Sequence, residues 1–241
     1  MSLVSNDNYF AGVYWGARRE SAKSCAERIC NYLFELGKID SRLSRWFMVG
    51  QSRRGALRKE IHADVSLIQD ILERGRNPRL PPSLQESLGF TLSLWNGASS
   101  DDQAVSILFR CGIFAKNVGN SAVLSLPTNC QRLSNFESAR RQITALVRHF
   151  SPDWGLVSSQ TIAQLSSSLG AGTPRAGWLT YLRDRPRQGP ISSSFELELL
   201  DAAGILVITN RKEFCGTNQS NVASVVEVAD WIARNYGGPK A

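Results

Sequence analysis

A chain of 241 residues with 42% apolar and 20% charged residues is long enough for a full-sized hydrophobic core and too apolar to be intrinsically disordered. It has 28 lysines and arginines against 21 aspartates and glutamates, and the formal net charge of +7 points to an acidic partner: nucleic acid, an anionic membrane or an acidic protein surface. A basic surface without any polyanionic partner explains the same charge equally well.

The cysteines and the N-terminus predict where the protein resides. The five cysteines are an odd number and widely scattered, which is unlike a disulfide framework and indicates reduced thiols. The first residues lack a basic segment followed by a long apolar run. No stretch reaches the roughly 18 consecutive apolar residues of a membrane helix. We therefore expect a cytoplasmic protein with no membrane partner.

Apolar, aromatic and β-branched runs predict the strands, most of them in the middle and C-terminal parts of the chain. In chain order they are Tyr9–Trp15, Leu88–Trp95, Ala104–Phe114, Ser121–Leu126, Trp154–Ser158, Gly177–Leu182, Phe195–Leu199 and Ile205–Thr209. The last two are predicted to form a hairpin with one solvated face. Short polar connections between successive strands favour antiparallel neighbours.

Apolar residues at helical spacing predict the helices. They are Glu20–Leu36 capped by Gly37, Asp64–Glu73 with Asp64 as N-cap, a helix to Phe150 opened by a capping box at Ser134, a short helix at Ile162–Leu169, and Val222–Arg234.

Strands in runs, rather than in strict alternation with helices, predict an α+β fold. We expect a mostly antiparallel sheet packed with about four helices, forming a single domain over residues 1–241. The proline-rich segment 76–83 is where a subdivision would fall.

The histidines and the paired cysteines do not form a catalytic or metal-binding pattern. His62 and His149 lie far apart and neither has a motif around it, so a cap or surface role is favoured for His149 at its helix end. Cys25 and Cys30 are five residues apart on one helix, which places them about 140° apart around its axis. They therefore cannot hold one metal ion together.

Two further patterns also favour structural interpretations. The glycine-rich residues 170–175 lack the Lys-Ser/Thr pair of a phosphate-binding loop, and Pro174 interrupts any helix there. Glu196 and Glu198 alternate with apolar residues, which indicates the solvated face of a strand rather than paired acids for proton transfer. We therefore predict a non-enzymatic binding protein with no catalytic residues, no metal and no cofactor.

The segment 41–59 is the most distinctive charged feature of the sequence. It carries six basic residues and no acid, and Trp46 and Phe47 lie among them. Arginines with aromatic residues are typical of protein interfaces, and also of surfaces that bind single-stranded nucleic acid. A solvated connection with two buried aromatics is the third interpretation. The candidate binding residues are Arg42, Arg45, Trp46, Arg53 and Arg54.

Several strings of residues, spread from about residue 9 to 210, recur in one protein family. They are Tyr14-Trp15-Gly16-Ala17-Arg18-Arg19-Glu20, Cys25-Ala26, Arg45-Trp46, Leu88-Gly89-Phe90, Leu94-Trp95-Asn96-Gly97, Cys111-Gly112, Leu124-Ser125-Leu126-Pro127, Pro152-Asp153-Trp154 and Gly177-Trp178-Leu179-Thr180-Tyr181-Leu182. Together they resemble the fifty-second immunity-protein family of bacterial polymorphic toxin systems.

The resemblance implies a protein that binds and neutralises a cognate type VI secretion nuclease toxin with a restriction-endonuclease-like domain. The net positive charge argues against inhibition by DNA mimicry, since a mimic presents an acidic face. Basic residues can instead pair with the carboxylates of such a nuclease. We expect arginine-rich and aromatic contacts to cover the toxin's active site or to prevent toxin assembly. The alternative is a basic regulator that binds nucleic acid.

Overall fold

The computed structural model describes residues 8–50, 52–127, 135–165, 174–186, 189, 194–200, 204–212 and 214–236. The strands are β1 (Tyr9–Trp15), β2 (Trp46–Met48), β3 (Glu60–Ile61), β4 (Phe90–Trp95), β5 (Ser106–Cys111), β6 (Asn120–Leu126), β7 (Trp154–Ser159), β8 (Leu179–Leu182), β9 (Glu196–Leu199) and β10 (Ile205–Ile208). The helices are α1 (Ala22–Ile39), α2 (Arg53–Ala56), α3 (Val65–Arg74), α4 (Pro82–Ser87), α5 (Phe136–Phe150), α6 (Gln160–Leu165) and α7 (Gln219–Tyr236).

All ten strands join in one sheet in the order β3-β2-β4-β5-β6-β1-β7-β8-β10-β9. Every pair of neighbours is antiparallel. The predicted α+β fold with a mostly antiparallel sheet is therefore confirmed. Four of the helices are long, as expected. Strands from both sides of segment 76–83 lie next to each other, because β2 pairs with β4.

One face of the sheet is covered by a layer of three helices, which we call the helical layer. Helix α1 packs between α3 and α5, α3 lies on β4, and α5 lies on β1, β7 and β8. A glycine permits the approach of α5: a Cβ on Gly155 would lie 2.7 Å from Val13 Cγ1 and 3.1 Å from Ile143 Cδ1. The main core fills the space between this layer and the sheet, where Phe109, Phe150 and their neighbours are fully buried.

The opposite face of the sheet is covered over only part of its width. At β8 and β10, Leu182, Ile205 and Val207 are buried on this side, in the same core as Trp231 of α7. Across β4, β5, β6, β1 and the start of β7, the side chains on this side are exposed or half-buried, except that of Ser121, which is buried. We call this part the open face: Phe10, Tyr14, Thr91, Ser93, Trp95, Ser106, Leu108, Arg110, Val123, Ser125 and Trp154.

Several predicted boundaries were wrong. Helix α1 does not end at Gly37; it continues to Ile39 and is capped by Asp40, whose N–H donates to the Leu36 carbonyl. Gly37 instead lets the following chain come close, since a Cβ there would lie 3.4 Å from Ser44 Cα. The N-cap of α5 is Asn135, whose side chain accepts a hydrogen bond from the Ser138 N–H (2.9 Å). Residues 166–169 of the predicted short helix and the cap Ser134 lie outside the described residues.

Other differences concern short elements. Strands β2 and β3 and helix α2 lie in or beside the basic segment, and α4 begins inside the proline-rich segment with Pro82 at its first turn. Each has only two to six residues. Such elements are too short to show a helical or strand period.

Gly89 is held in a conformation that side chains oppose. Its φ is +61°, and a Cβ would lie 2.4 Å from the Cys111 carbonyl oxygen and 2.6 Å from the Gly112 carbonyl carbon. We expect Gly89→Ala to lower the free energy of unfolding by about 3 kcal/mol, because left-handed strain and a backbone clash add. Urea unfolding measures it. Gly119→Ala is the control, since the nearest atom lies 3.4 Å away; equal loss in both variants would contradict this account.

The strand β9 is tied to helix α5 by an ion pair that predicts a pH dependence. Arg140 Nε donates to Glu198 Oε1 (3.1 Å), and this bond lowers the pKa of the Glu198 carboxyl. A lowered folded-state pKa contributes stability that is present above the unfolded value and is lost as pH falls through the folded value.

We expect Glu198→Gln to lose under about 1 kcal/mol at pH 7, since the pair is partly solvated. The difference from wild type should shrink as the pH falls from 7 towards 3, because the Glu198 carboxyl becomes protonated. Urea unfolding at pH 7, 4 and 3 measures it, and Arg140→Met should behave alike. A gap that stays constant from pH 7 to 3 would rule out this carboxyl as the source.

Candidate protein-binding site

The basic segment places four unpaired cations on the surface. Arg53 and Arg54 open helix α2, which Ser52 caps by accepting from the Gly55 N–H (3.2 Å). Arg58 and Lys59 follow, and all four side chains are exposed. Within the part of the chain that the structure describes, none of the four forms an ion pair. They are therefore available to an acidic partner.

Two exposed apolar side chains lie among these cations. Val49 is 56% exposed and Leu57 is 38% exposed. Large apolar side chains surrounded by arginines are typical of the core and rim of a protein interface. We call the set Val49, Arg53, Arg54, Leu57, Arg58 and Lys59 the basic patch.

The other two predicted arginines are neutralised within the protein. Arg42 donates to Asp40 from both Nε and Nη2 (2.9 and 2.8 Å). Arg45 forms the same bidentate pair with Glu60 (2.8 and 2.7 Å), which lowers the pKa of the Glu60 carboxyl and raises that of Arg45. Asp40 and Glu60 lie immediately before and after segment 41–59, and Glu60 also pairs with Phe47 across β2 and β3. The composition of the segment alone therefore does not reveal these two acids.

Trp46 lies in the core rather than on the surface. Its side chain is 2% exposed, and its indole N–H donates to the Leu43 carbonyl (2.9 Å). Phe47 is also buried: the Arg45 guanidinium lies 5.4 Å above its ring, and Gly97 leaves the space that the ring occupies. The structure therefore brings Arg53 and Arg54 together on the surface and separates them from Trp46.

The buried carboxylate of Glu20, at the end of the first string that carries the family resemblance, contacts two arginines. The Glu20 side chain is 6% exposed, and Oε1 lies 2.9 Å from Arg28 Nη2 while Oε2 lies 3.7 Å from Arg18 Nε. Both arginines also reach the Phe150 carbonyl at the end of α5. Burial lowers the pKa of Arg18, and Glu20 opposes that shift. Of the two arginines, Arg28 is the closer partner of Glu20.

Residues of other strings that carry the family resemblance contact one another near Gly16. The Gly16 N–H donates to the Asp153 carboxylate (2.8 Å), which joins the first string to Pro152-Asp153-Trp154. Asn120 accepts from the Ile113 N–H and donates to the Gly16 carbonyl (2.8 and 2.7 Å). Most contacts in these strings therefore hold chain segments together.

A cleft of about 530 Å³ opens beside Glu20. Two arginines lie on aromatic rings in its wall: Arg76 lies 4.4 Å from the Phe90 ring centre and Arg19 lies 5.2 Å from that of Phe114. Arg19 also pairs with Glu86. With Glu20, Glu73 and Glu86 in the same wall, the cleft has charges of both signs and favours neither an anion nor a cation.

None of the described histidines and cysteines lines this cleft. His149 Nε2 contacts Glu35 Oε2 (2.5 Å) where α5 packs on α1, and His62 is exposed. Cys25 and Cys111 are buried free thiols. A hydrogen bond between the two thiols, together with burial, raises the pKa of Cys111. Among the described residues, no three His, Cys, Asp or Glu side chains are grouped to hold a metal ion.

Sequence reasoning found the basic segment but missed two features of the site. Exposure of Val49 and Leu57 depends on how the chain folds over the sheet edge. The ion pairs of Arg42 and Arg45 depend on acids outside the segment. A charge count over a wider window, which includes Asp40 and Glu60, would have signalled those pairs.

No helix in the described parts of the chain combines the length and the hydropathy required to cross a membrane.

Among curated proteins the chain has no match. A solved structure titled Pseudomonas aeruginosa T6SS protein PA0821 is similar, with a TM-score of 0.59 and 12% sequence identity. The similarity covers 94% of this chain and 75% of that one. The family profile of immunity protein 52 matches residues 7–236, so the chain belongs to the immunity protein 52 family.

Proposed function

We propose that this protein neutralises a cognate nuclease toxin of a type VI secretion system by binding it in the cytoplasm. Family membership over residues 7–236 carries the proposal. The similar fold of a protein titled as a T6SS protein supports the secretion context. The nuclease chemistry of the toxin rests on the family resemblance in the sequence.

The basic patch is the surface that we propose for toxin contact. Four unpaired cations around two exposed apolar side chains suit an acidic surface with an apolar centre. Restriction-type nucleases hold their metal with carboxylates, and such a site would attract these arginines. Contact there would cover the active site or prevent toxin assembly. Arg42 and Arg45 contribute less, since each must first leave an internal carboxylate.

Nucleic-acid binding is the second candidate, and the exposed Arg53, Arg54, Arg58 and Lys59 are the observation that favours it. Four phosphate contacts would make the affinity of the isolated protein for DNA fall steeply with salt, with a slope of about −3 to −4 in log–log form. Neutralisation of a toxin predicts little binding to DNA.

The decisive experiment is co-purification with the product of the neighbouring toxin gene, followed by DNA cleavage with and without this protein. A stable complex with suppressed cleavage supports the proposal. If the toxin stays active and unbound, the proposal is wrong, and salt-dependent binding of labelled DNA then tests the second candidate.

A further inference from the structure

We infer that the open face is the second half of the toxin-binding interface and that it binds an acidic protein surface continuous with the one on the basic patch. This inference rests on the proposed function. It adds a location that the sequence did not indicate, because the residues concerned come from five strands that are distant along the chain.

The chemistry of the open face is unlike that of an ordinary solvated sheet. None of its eleven side chains is acidic, although the chain has 21 aspartates and glutamates. At one end Tyr14 and Trp154 stack with ring centres 4.3 Å apart, and both are half-buried. Arg110 is exposed; burial raises the pKa of the Tyr14 phenol, and the charge of Arg175 opposes that shift. Tyrosine, tryptophan and arginine are the residues enriched at protein interfaces.

The open face and the basic patch form one continuous surface. Phe47 pairs with Trp95 across β2 and β4, so both rings lie on this side of the sheet, with centres 6.2 Å apart. Leu57 of the basic patch lies over the same place, next to Gly97. A partner protein that contacts Arg53 and Leu57 would therefore also contact Trp95 on the same continuous surface.

The open face alone is smaller than a complete protein interface. Five strands at about 4.8 Å spacing, each presenting about six residues at 3.3 Å, give the open face a footprint of roughly 400 Å². A stable protein complex buries about 800 Å² on each partner. The open face is therefore one part of an interface of that size, and the adjoining basic patch extends it.

A protein partner fits this surface better than nucleic acid. Sheets that bind single strands stack bases on aromatics, and they also need cations for several phosphates. The open face carries one arginine among its eleven side chains, with Arg175 beside it, and the rest are serine, threonine, apolar or aromatic. That composition suits an interface that contains a few acidic side chains.

The test is the affinity of the full-length protein for the toxin, measured by calorimetry in 150 mM salt. The double variant Ser106→Glu with Arg110→Glu places two negative charges on exposed positions of β5 and removes one positive charge, a net change of about −3. The matched control, Lys23→Glu with Ser66→Glu, makes the same charge change on exposed positions of the helical layer. We expect the first variant to bind about 30-fold more weakly and the control to stay within about twofold of wild type.

The outcomes separate this inference from the proposed function. Equal affinity of both variants and wild type would overturn the open face as an interface while leaving toxin binding intact. If wild type itself binds no toxin, both ideas fail. A labelled 20-nucleotide RNA or DNA that binds the wild type and is lost in the β5 variant would assign the face to nucleic acid. Should the double variant fail to fold, Arg110→Gln carries the test, with an expected loss of about threefold.

Discussion

Charge reversal at Arg53 and Arg54 is expected to weaken toxin binding by about 100-fold or more in low salt. Both side chains are exposed and form no ion pair with any residue that the structure describes, so the variant Arg53→Glu with Arg54→Glu places two acids against the acidic toxin surface that we propose. Acidic residues are favoured in the first turn of a helix, so α2 should tolerate the change. Surface plasmon resonance at 50 and 300 mM salt measures the loss, which should shrink as salt screens the repulsion.

The control for this variant is Lys23→Glu with Arg141→Glu, which changes the charge equally on the helical layer. It should bind the toxin as wild type does. If both double variants lose affinity to the same extent, the effect comes from net charge alone and the basic patch is not the contact surface. Arg42→Glu is expected to have a smaller effect, because Arg42 already pairs with Asp40.

Glu20→Gln is expected to lower the free energy of unfolding by roughly 3 kcal/mol. The carboxylate is 6% exposed and faces two partly buried guanidinium groups, so the amide would leave Arg18 and Arg28 without a counter-charge. Breaking one side of a buried ion pair typically costs about 3–5 kcal/mol, and the partial exposure of the arginines places this case at the low end. Guanidinium unfolding followed by tryptophan fluorescence measures it.

Glu27→Gln is the matched control, since Glu27 is exposed on helix α1, which begins two residues after Glu20. It should change stability by less than about 0.5 kcal/mol. Toxin affinity of folded Glu20→Gln should equal that of wild type, since we assign this residue to the fold. A stable Glu20→Gln protein that no longer binds the toxin would instead place the cleft in the interface.

Elements with enough residues to show a period could be predicted from the sequence. The predicted strand Tyr9–Trp15 matches β1, and α3 and α5 begin within one residue of their predicted first helical turn. The order of strands in the sheet could not be predicted, because β1 pairs with β6 and β7 across more than 100 residues. Pairing over such distances leaves no trace in local hydrophobic spacing.

The candidate site was located by composition and refined by the fold. Clustered arginines marked the segment, but only burial distinguishes Arg53 from Trp46, and burial depends on β2 joining the sheet edge. The open face had no sequence signal, since its residues alternate with core residues along five strands. An uncovered sheet face becomes visible only when the positions of the helices are known.

The central place of β1 has a consequence for how the protein is made. This strand leaves the ribosome before either of its partners, which end at residues 126 and 159. At about 5–20 residues per second, the ribosome needs roughly ten seconds or more to proceed from the end of β1 to the end of β7. For much of that time β1 has neither neighbour. Cells could not begin such a chain when a toxin arrives and be protected at once. Resistance would depend on a standing stock of finished protein.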